Sequence, residues 1–466
     1  MVCDGHAGVK AANYTAFNLV KVLKEKLPKN VPEYSCFTGR PSEELRAFAE
    51  GIQIAMCEAF VSTDNEWMER GHNAGTTVTA MLIFAGLITV ANIGDSTSIL
   101  DTGISILEMT CSHRIQDSVT EQNRLRAAGC KIASLGFHLQ GPAKPGEPGV
   151  GPLRIWPGGL CVSRSIGDAD AGPEIIPMPH IRQAIIPEAG CRVIIASDGL
   201  WDIMKPTKVV LSSRKFAAKE AVEQLMMVVN KDRRIIDDTS IVIVDILPNS
   251  ASAATFPAAV SNIEAAVRSR ASASVASAKS SGSLMRCCQT AQTNDVLDPA
   301  ELMSDIQPAG PGRLQLLTDL DCLKAFPTYR DMLYRNACVR RSNSTQVDMS
   351  IEQQQQQQPA VLVLELHPGD DKEALRYLPK TALAARDHVK ESPQLPKSSY
   401  NASVARNYHE VPLVDRSSAI QKYPVQSEEG GYSRDNESGL SVRAIVTQYR
   451  VSLEGKHDGS EHGGTR

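Results

Sequence analysis

Several features that mark other classes of protein are scarce or missing in this sequence. Only 5% of its 466 residues are aromatic, so a core must be built mainly from Val, Ile, Leu, Ala and Met. The eleven cysteines are scattered and form no CxxC pair, and no basic and then apolar leader stands at the N-terminus. These absences favour reduced thiols and a cytoplasmic or nuclear location.

Charge and hydropathy exclude further classes of partner. The net charge is only -4, which argues against nucleic acid or an anionic membrane as an obligatory partner. The most apolar run, residues 79–93, contains Gly86 and Asn92 and is too short to cross a bilayer. We therefore expect no nucleic-acid partner and no membrane partner, and the sequence carries no signal for an oligomeric state.

The chain divides by composition near residue 248. Residues 1–248 alternate between helix and strand patterns, whereas residues 249–466 are rich in Ala and Ser and include a glutamine run at 353–358. Segments of the second kind bury too little apolar area to offset the entropy of ordering. We predict a folded domain at 1–248 and a long, mostly disordered C-terminal tail at 249–466. Two exceptions are a possible strand from Pro359 and a weak helical pattern over 314–334.

The first half predicts an α+β fold. Helical spacing runs from Val9 to Leu27, a second helix begins at Pro41–Ser42 and runs to about Phe60, and Ser118 to Glu121 has the form of a capping box. Short apolar runs predict strands, and their bounds are 76–84, 87–91, 98–100, 104–109, 193–196 and 241–247. Hairpins mixed with separate long helices favour a layered α+β domain over a repeated βαβ unit.

Four segments place aspartate at a strand end or turn, mostly beside glycine. They are Val2–His6, Asn92–Ser96, Ile194–Asp202 and Ile236–Thr239. A carboxylate at the end of an apolar strand is costly unless something compensates it, and a magnesium or manganese ion would do so. Two such ions about 3.5–4 Å apart can hold a phosphate ester and lower the pKa of a bridging water, while a nearby histidine protonates the leaving group.

Each segment also has a plainer interpretation. Asp-Gly is among the commonest turn dipeptides, so any single case is more often a turn than a ligand pair. Asp95, in a Gly-Asp-Ser turn, is predicted to be structural. A lone histidine near a strand end is more often packed or exposed than catalytic. Only the conjunction of several carboxylates beside apolar strands in one domain favours a metal site.

Six stretches, taken together, resemble the metal-dependent protein serine/threonine phosphatases of the 2C family, of the plant type in particular. They follow the family order across residues 1 to about 247, and they are Asp4–Gly8, Ala74–Thr77, Ala91–Ser96, Trp156–Asp168, Ala196–Asp202 and Asp237–Ser240. The resemblance implies a four-layer α-β-β-α sandwich, in which two antiparallel sheets are flanked by helices. It covers about half of the chain and leaves the tail unexplained.

The resemblance also implies roles for particular residues. Asp4 matches the carboxylate that bridges two Mg²⁺ or Mn²⁺ ions, and Gly5 matches the residue that offers its main-chain carbonyl. Asp198 and Asp237 match further metal ligands, and His6 matches the proposed general acid. The implied substrates are phosphoserine and phosphothreonine in proteins, so phosphoprotein partners are expected.

The sequence departs from the family pattern in several places. The resemblance implies a strand pair before Asp-Gly-His that carries a phosphate-binding Arg and an acidic stretch. Because that pair is missing, we expect an N-terminally truncated domain in which the loss of central strands exposes apolar neighbours. A truncated gene model is the favoured explanation, and a true short isoform is the alternative. Asp202 matches a ligand of a weaker third ion, but Ser112 stands where the family has Asp, which weakens the case for that ion. Thr97 replaces the Arg that usually follows Gly-Asp-Ser.

These observations leave two hypotheses. One is a metal-dependent protein serine/threonine phosphatase, a phosphoric monoester hydrolase, which the four retained ligand positions favour. The other is a catalytically impaired, phosphatase-like binding module that acts through its tail, which the departures favour.

Overall fold

The structure, a computed structural model, describes slightly more than half of the chain. The described residues are 1–32, 41–231, 237–247, 256–262, 265, 296–297, 314–326 and 328–329, together with the strand backbone of 358–361, 429–430 and 443–451.

Seven helices are numbered here in chain order. They are α1 (Lys10–Lys26), α2 (Glu43–Met68), α3 (Val119–Ala127), α4 (Asp198–Trp201), α5 (Pro206–Ser213), α6 (Ala218–Lys231) and α7 (Cys322–Ala325). A further short helix covers residues 256–262. Side-chain caps begin two of the long helices, since Ser42 accepts from the amide of Leu45 and Ser118 accepts from the amide of Glu121.

The first sheet contains seven strands. They are β1 (Val2–His6), β2 (Gly75–Phe84), β3 (Leu87–Ile93), β8 (Ile166–Gly167), β9 (His180–Ile185), β13 (Gln315–Asp321) and β14 (Gln358–Val361). Their order is β13-β9-β3-β2-β1-β14, with β8 paired to β2 beside this path. All of these pairings are antiparallel.

The second sheet also contains seven strands. They are β4 (Thr97–Asp101), β5 (Ile106–Glu108), β10 (Cys191–Ala196), β11 (Thr239–Leu247), β12 (Val296–Leu297), β15 (Glu429–Gly430) and β16 (Arg443–Val451). Their order is β12-β5-β4-β10-β11-β16-β15, and only the β12–β5 pair is parallel. A separate hairpin joins β6 (Lys131–Leu135) to β7 (Val150–Trp156).

Three apolar clusters stack these elements into four layers. Adjacent residues of a strand face opposite sides, so Val193 and Val244 pack between the two sheets, whereas Ile194 and Ile243 pack against the helices of the second sheet. Helices α1 and α2 cover the other face of the first sheet, where Cys3 is buried. Both faces of the central strands are therefore buried, which explains their unbroken apolar runs.

This architecture confirms the predicted α-β-β-α sandwich of two sheets flanked by helices. The predicted helix from Pro41–Ser42 forms but continues to Met68 rather than ending near Phe60. The six predicted strands all form, with bounds that differ by a few residues. The helical pattern over 314–334 was wrong for its first part, since residues 315–321 form β13 and only Cys322–Ala325 form a helix. The edge of β9 supplies the hydrogen bonds that select a strand there.

Segments from the predicted tail also enter both sheets. Strand β14 pairs with β1 from Val2 to Gly5, as the possible strand from Pro359 anticipated, and β16 pairs with β11 along nine residues. The expectation of exposed apolar neighbours was therefore wrong at β1, where Val2 and Cys3 are buried and the strand is paired on both sides. The domain boundary at 248 stays a prediction, and most of the tail lies outside the described residues. No helix among the described residues is long and apolar enough to span a membrane.

Candidate active site

Two of the predicted ligand positions lie on β1 of the first sheet, between β2 and the edge strand β14. Asp4 and Gly5 belong to β1, which pairs with β2, and the hydroxyl of Thr76 donates a 3.0 Å hydrogen bond to the main-chain carbonyl of Asp4. The side chain of Val2, on the same face as Asp4, lies in the cluster between the sheets. The alternation of β1 therefore directs Asp4 toward the second sheet.

The other two positions lie at neighbouring strand ends of the second sheet. Asp198 follows β10 and is the first residue of α4, and Asp237 stands two residues before β11. A Cβ at Gly199 would collide with the carbonyl of Asp238 and the hydroxyl of Thr239. The missing side chain thus lets α4 begin directly against the start of β11, which brings Asp198 toward Asp237.

Burial and neighbouring negative charges raise the pKa values of all three carboxylates. Burial, and then the charges of Asp198 and Asp237, raise the pKa of Asp4 well above its usual range. Burial and the neighbouring carboxylates likewise raise the pKa of Asp198, and the pKa of Asp237 rises to about 6. A buried cluster of this kind requires a counter-charge to stay ionised near neutral pH.

The donor set fits a hard divalent cation. Carboxylate oxygens and a main-chain carbonyl are the ligands that Mg²⁺ and Mn²⁺ prefer. The Oδ1 atom of Asp198 is buried and has no hydrogen-bond partner in the described part of the chain. This carboxylate oxygen is therefore free to coordinate a cation. Within that part, no group of three His, Cys, Asp or Glu side chains is arranged closely enough to hold an ion as it stands.

The guanidinium of Arg114 supplies part of the positive charge that the acidic side chains at this site require. Arg114 donates from Nε to Asp95 at 3.0 Å, from Nη2 to Asp198 at 2.6 Å and from Nη1 to Asp202 at 2.9 Å. The side chain of Asp202 is 58% exposed, whereas those of Asp95 and Asp198 are largely buried. Arg114 therefore holds the Oδ2 side of Asp198 and leaves Oδ1 for another ligand.

The histidine of the Asp-Gly-His triplet is held by an aspartate far along the chain. Nε2 of His6 lies 2.7 Å from both carboxylate oxygens of Asp168. Burial alone would lower the pKa of His6, but the carboxylate of Asp168 outweighs it and the pKa is raised. The hydroxyl of Ser165 also donates to Asp168. A Cβ at Gly75 would collide with that carboxylate, so a glycine there makes room for it.

Each predicted site residue is accounted for in the structure. After burial, the charges of Asp198 and Asp237 raise the pKa of Asp4, and Gly5 and His6 follow Asp4 along β1. Their roles as ligands and general acid stay predictions. Asp202, predicted by resemblance to bind a third ion, is paired with Arg114.

Three residues with a place in this site were not assigned a role from the sequence. Asp95, predicted to be structural, pairs with Arg114 and contributes to the raised pKa of Asp4 and Asp198. Arg114 follows His113 in the stretch where Ser112 departs from the family. Asp168 closes the long motif that begins at Trp156. Their position in or beside the family motifs was the sequence signal that could have pointed to them.

Comparison with known proteins identifies the family. The family profile for Protein phosphatase 2C matches residues 1–236. "Probable protein phosphatase 2C 5" of Arabidopsis thaliana is 38% identical over 53% of this chain and 54% of its own length. "Probable protein phosphatase 2C 3" of Oryza sativa subsp. japonica is 37% identical over 53% of this chain and 47% of its own length. The chain thus spans about half the length of the curated relatives it matches.

Solved structures give a weaker similarity. The "serine-threonine phosphatase 2C from Toxoplasma gondii" has a TM-score of 0.36 at 18% identity, over 49% of this chain and 77% of that one. A score this low adds nothing to the assignment, which rests on the family profile and on the plant relatives. From the profile match over half of its length, the chain belongs to the protein phosphatase 2C family and is of the plant type.

Proposed function

We propose that this chain is a metal-dependent protein serine/threonine phosphatase that hydrolyses phosphoserine and phosphothreonine esters by a metal-activated water at a two-metal centre. The observation that carries the proposal is that Asp4 of the first sheet lies close enough to Asp198 and Asp237, at strand ends of the second sheet, for burial and then their charges to raise its pKa. A cluster of buried carboxylates adds no stability to a fold. Such clusters with raised pKa values are therefore found most often at functional sites. The substrates would be phosphoproteins.

Four residues would hold the ions. Asp4, Asp198 and Asp237 offer carboxylate oxygens, and Gly5 offers its main-chain carbonyl. Bound Mg²⁺ or Mn²⁺ would supply a water of lowered pKa and a counter-charge for the phosphate. Asp198 is suited to this part because Arg114 fixes its Oδ2 atom while Oδ1 stays buried and without a hydrogen-bond partner among the described residues.

His6 would act as the general acid. A general acid must carry its proton at the working pH, and the Asp168 carboxylate raises the pKa of His6. Since Asp168 engages Nε2, the ring would deliver its proton through Nδ1 to the leaving serine or threonine oxygen. The pair thus combines a raised pKa with a fixed ring orientation.

The test is an assay of the purified 466-residue chain. We expect Mn²⁺-dependent hydrolysis of a small aryl phosphate and of a phosphothreonine peptide. Asp198→Ala should abolish both activities, whereas Glu188→Ala, at an exposed position, should leave them unchanged. A folded chain that hydrolyses neither substrate with Mn²⁺ or Mg²⁺ would refute the proposal.

The second candidate is a phosphatase-like binding module without turnover. The observation in its favour is that Arg114 pairs with three of the acidic side chains at the site. This candidate expects that calorimetry detects binding of the phosphothreonine peptide by the wild-type chain while no phosphate is released. Measurable phosphate release that Asp198→Ala abolishes would exclude it.

A further inference from the structure

A segment from the second half of the chain packs on the edge of the first sheet. Residues 314–326, called here the edge segment, contain β13 and α7. Strand β13 pairs with β9, and Leu314, Leu316 and Cys322 are buried in the core clusters. The amide of Gln53 in α2 donates a 2.8 Å hydrogen bond to the hydroxyl of Thr318. The family profile ends at residue 236, so the edge segment lies outside the matched region.

The edge segment contributes a carboxylate to a buried arginine. Arg164 is buried, and its Nη1 and Nη2 atoms donate to the two carboxylate oxygens of Asp321 at 2.9 and 3.3 Å. Nη1 also donates to the carbonyl of Met178, while Nη2 and Nε donate to the two oxygens of Glu121. These contacts match the five N–H donors of a guanidinium, and Asp321 accounts for two of them.

Asp321 also supplies negative charge to this cluster. Glu121 and Asp321 are its carboxylates, Arg164 and Arg124 are its guanidinium groups, and the largely exposed Lys324 lies 3.8 Å from Asp321. Asp321 also accepts from the amide of Leu323, which fixes its position at the start of α7. Removing its charge would leave two donors of a buried cation without an ionised partner, which is costly.

Arg164 is four residues from the aspartate that holds His6. Glu121, the other partner of Arg164, accepts from the hydroxyl of Ser163 at 2.6 Å. The amide of Gly167 donates to Asp64 at 2.8 Å, and Asp168 binds Nε2 of His6. The 163–168 segment is therefore anchored at one end by the Arg164 cluster and meets the candidate general acid at the other.

We propose that Asp321 is a positioning residue for this site. By completing the hydrogen bonds of Arg164, the edge segment holds residues 163–168 in place and so sets the position of Asp168 against His6. The kinetic consequence rests on the proposed phosphatase function, whereas the coupling between Asp321 and residues 163–168 does not.

The same strand offers a matched control. Asp319 pairs with Arg182 at 3.0 Å and with His180 at 2.9 Å. Among the described residues, neither partner forms a hydrogen bond or ion pair with residues 163–168. Asp319→Asn removes a charge pair between β13 and β9 without touching Arg164. Any effect of merely loosening the edge segment should therefore appear in both variants, and an effect through Arg164 only in Asp321→Asn.

The experiment compares amide hydrogen exchange and kinetics in the full-length wild type, Asp321→Asn, Asp321→Glu and Asp319→Asn. In Asp321→Asn we expect exchange of the peptide that covers residues 163–168 to become about tenfold faster. We also expect kcat for the phosphothreonine peptide to fall about tenfold with KM within twofold. Asp321→Glu should recover most of both losses, and Asp319→Asn should match the wild type in both readouts.

Each outcome of this comparison supports or overturns the proposal. Unchanged exchange at 163–168 in Asp321→Asn overturns it, and so do equal changes in Asp321→Asn and Asp319→Asn. If the wild type itself has no activity, the proposed function fails, but faster exchange confined to Asp321→Asn still supports the coupling. If Asp321→Asn does not fold, Asp321→Ser takes its place, because serine removes the charge and keeps a side-chain acceptor for the amide of Leu323: faster exchange at 163–168 than in the wild type supports the proposal, and exchange equal to wild type overturns it.

Discussion

Nη2 of Arg114 donates a 2.6 Å hydrogen bond to Oδ2 of Asp198, a residue 84 positions later in the chain. The same guanidinium reaches Asp95 and Asp202, so one positive charge is shared among three carboxylates. Asp198 thus pairs with an internal cation through Oδ2, while its Oδ1 atom is buried and has no hydrogen-bond partner among the described residues. Stability and metal binding should consequently be linked at this residue.

The first prediction concerns Arg114→Gln. Without the guanidinium, the three carboxylates keep their repulsion and lose their counter-charge, so the free energy of unfolding in EDTA should fall by about 2 kcal/mol. Mn²⁺ should restore more stability to the variant than to the wild type, because only a bound ion then supplies positive charge. Urea unfolding with and without Mn²⁺ measures both effects. Arg126→Gln, at an exposed position, should change neither value, and equal Mn²⁺ shifts in Arg114→Gln and wild type would contradict the linkage.

The second prediction concerns Asp168→Asn. Loss of the carboxylate removes the interaction that raises the pKa of His6, and burial then lowers that pKa. A general acid works only while protonated, so kcat should fall about a hundredfold at pH 7. The alkaline loss of kcat should also begin at a lower pH than in the wild type. Asp170→Asn, which removes a nearby charge that does not bond to His6, is the control. An unshifted kcat–pH profile in Asp168→Asn would argue against His6 as the acid.

The third prediction concerns Gly199→Ala. The added Cβ would collide with the main chain of Asp238 and with Thr239, so α4 must move away from β11. We expect a loss of about 1–3 kcal/mol in unfolding free energy and weaker Mn²⁺ binding by calorimetry, since Asp198 moves with α4. At Gly136 the nearest atom would be 3.3 Å from a new Cβ, and Gly136→Ala should leave Mn²⁺ binding intact. Wild-type Mn²⁺ affinity in Gly199→Ala would show that the spacing between the two strand ends is not critical.

The fourth prediction concerns pH dependence at Asp319. Burial would raise the pKa of Asp319, but hydrogen bonds from His180 and Arg182 lower it to about 2. A depressed pKa in the folded state contributes stability above the unfolded value near 3.9, and that stability is lost as the pH falls toward 2. Asp319→Asn should therefore cost about 1 kcal/mol at pH 6, after solvent screening, and progressively less between pH 4 and pH 3. Urea unfolding at several pH values gives the comparison. If the difference in unfolding free energy between wild type and Asp319→Asn grew as the pH fell, the prediction would be contradicted.

The fifth prediction concerns the buried pair of Arg192 and Asp245. Arg192 is fully buried and donates to both oxygens of Asp245 at 2.6 and 2.8 Å, and to the carbonyls of Ser213 and Phe216. Asp245→Asn leaves the buried guanidinium without its counter-charge, so the free energy of unfolding should fall by about 3–5 kcal/mol. Asp117→Asn, at an exposed position, is the control for urea unfolding. A loss below about 1 kcal/mol would mean that the carbonyls alone satisfy Arg192.

Local patterns predicted most of the elements that position the site. The spacing of apolar residues from Val9 to Leu27 predicted α1, and Ser118 was confirmed as a cap. The helical pattern gave the wrong prediction at residues 315–321, because the apolar spacing there suits a helix or a strand. Pairing with the edge of β9 selects the strand. Pairing of β14 with β1 and of β16 with β11 also depended on partners hundreds of residues away.

The sequence by itself determined the family motifs, the carboxylates beside apolar strands and the histidine next to Asp4, because each of these is a short stretch with its own physical signature. Only the tertiary structure decided which charges meet. The pairs His6–Asp168, Arg114–Asp198 and Arg164–Asp321 join residues 162, 84 and 157 positions apart. Contacts at such distances follow from strand order and register, and these are set by how the two sheets and their helices bury apolar surface together rather than by any local pattern.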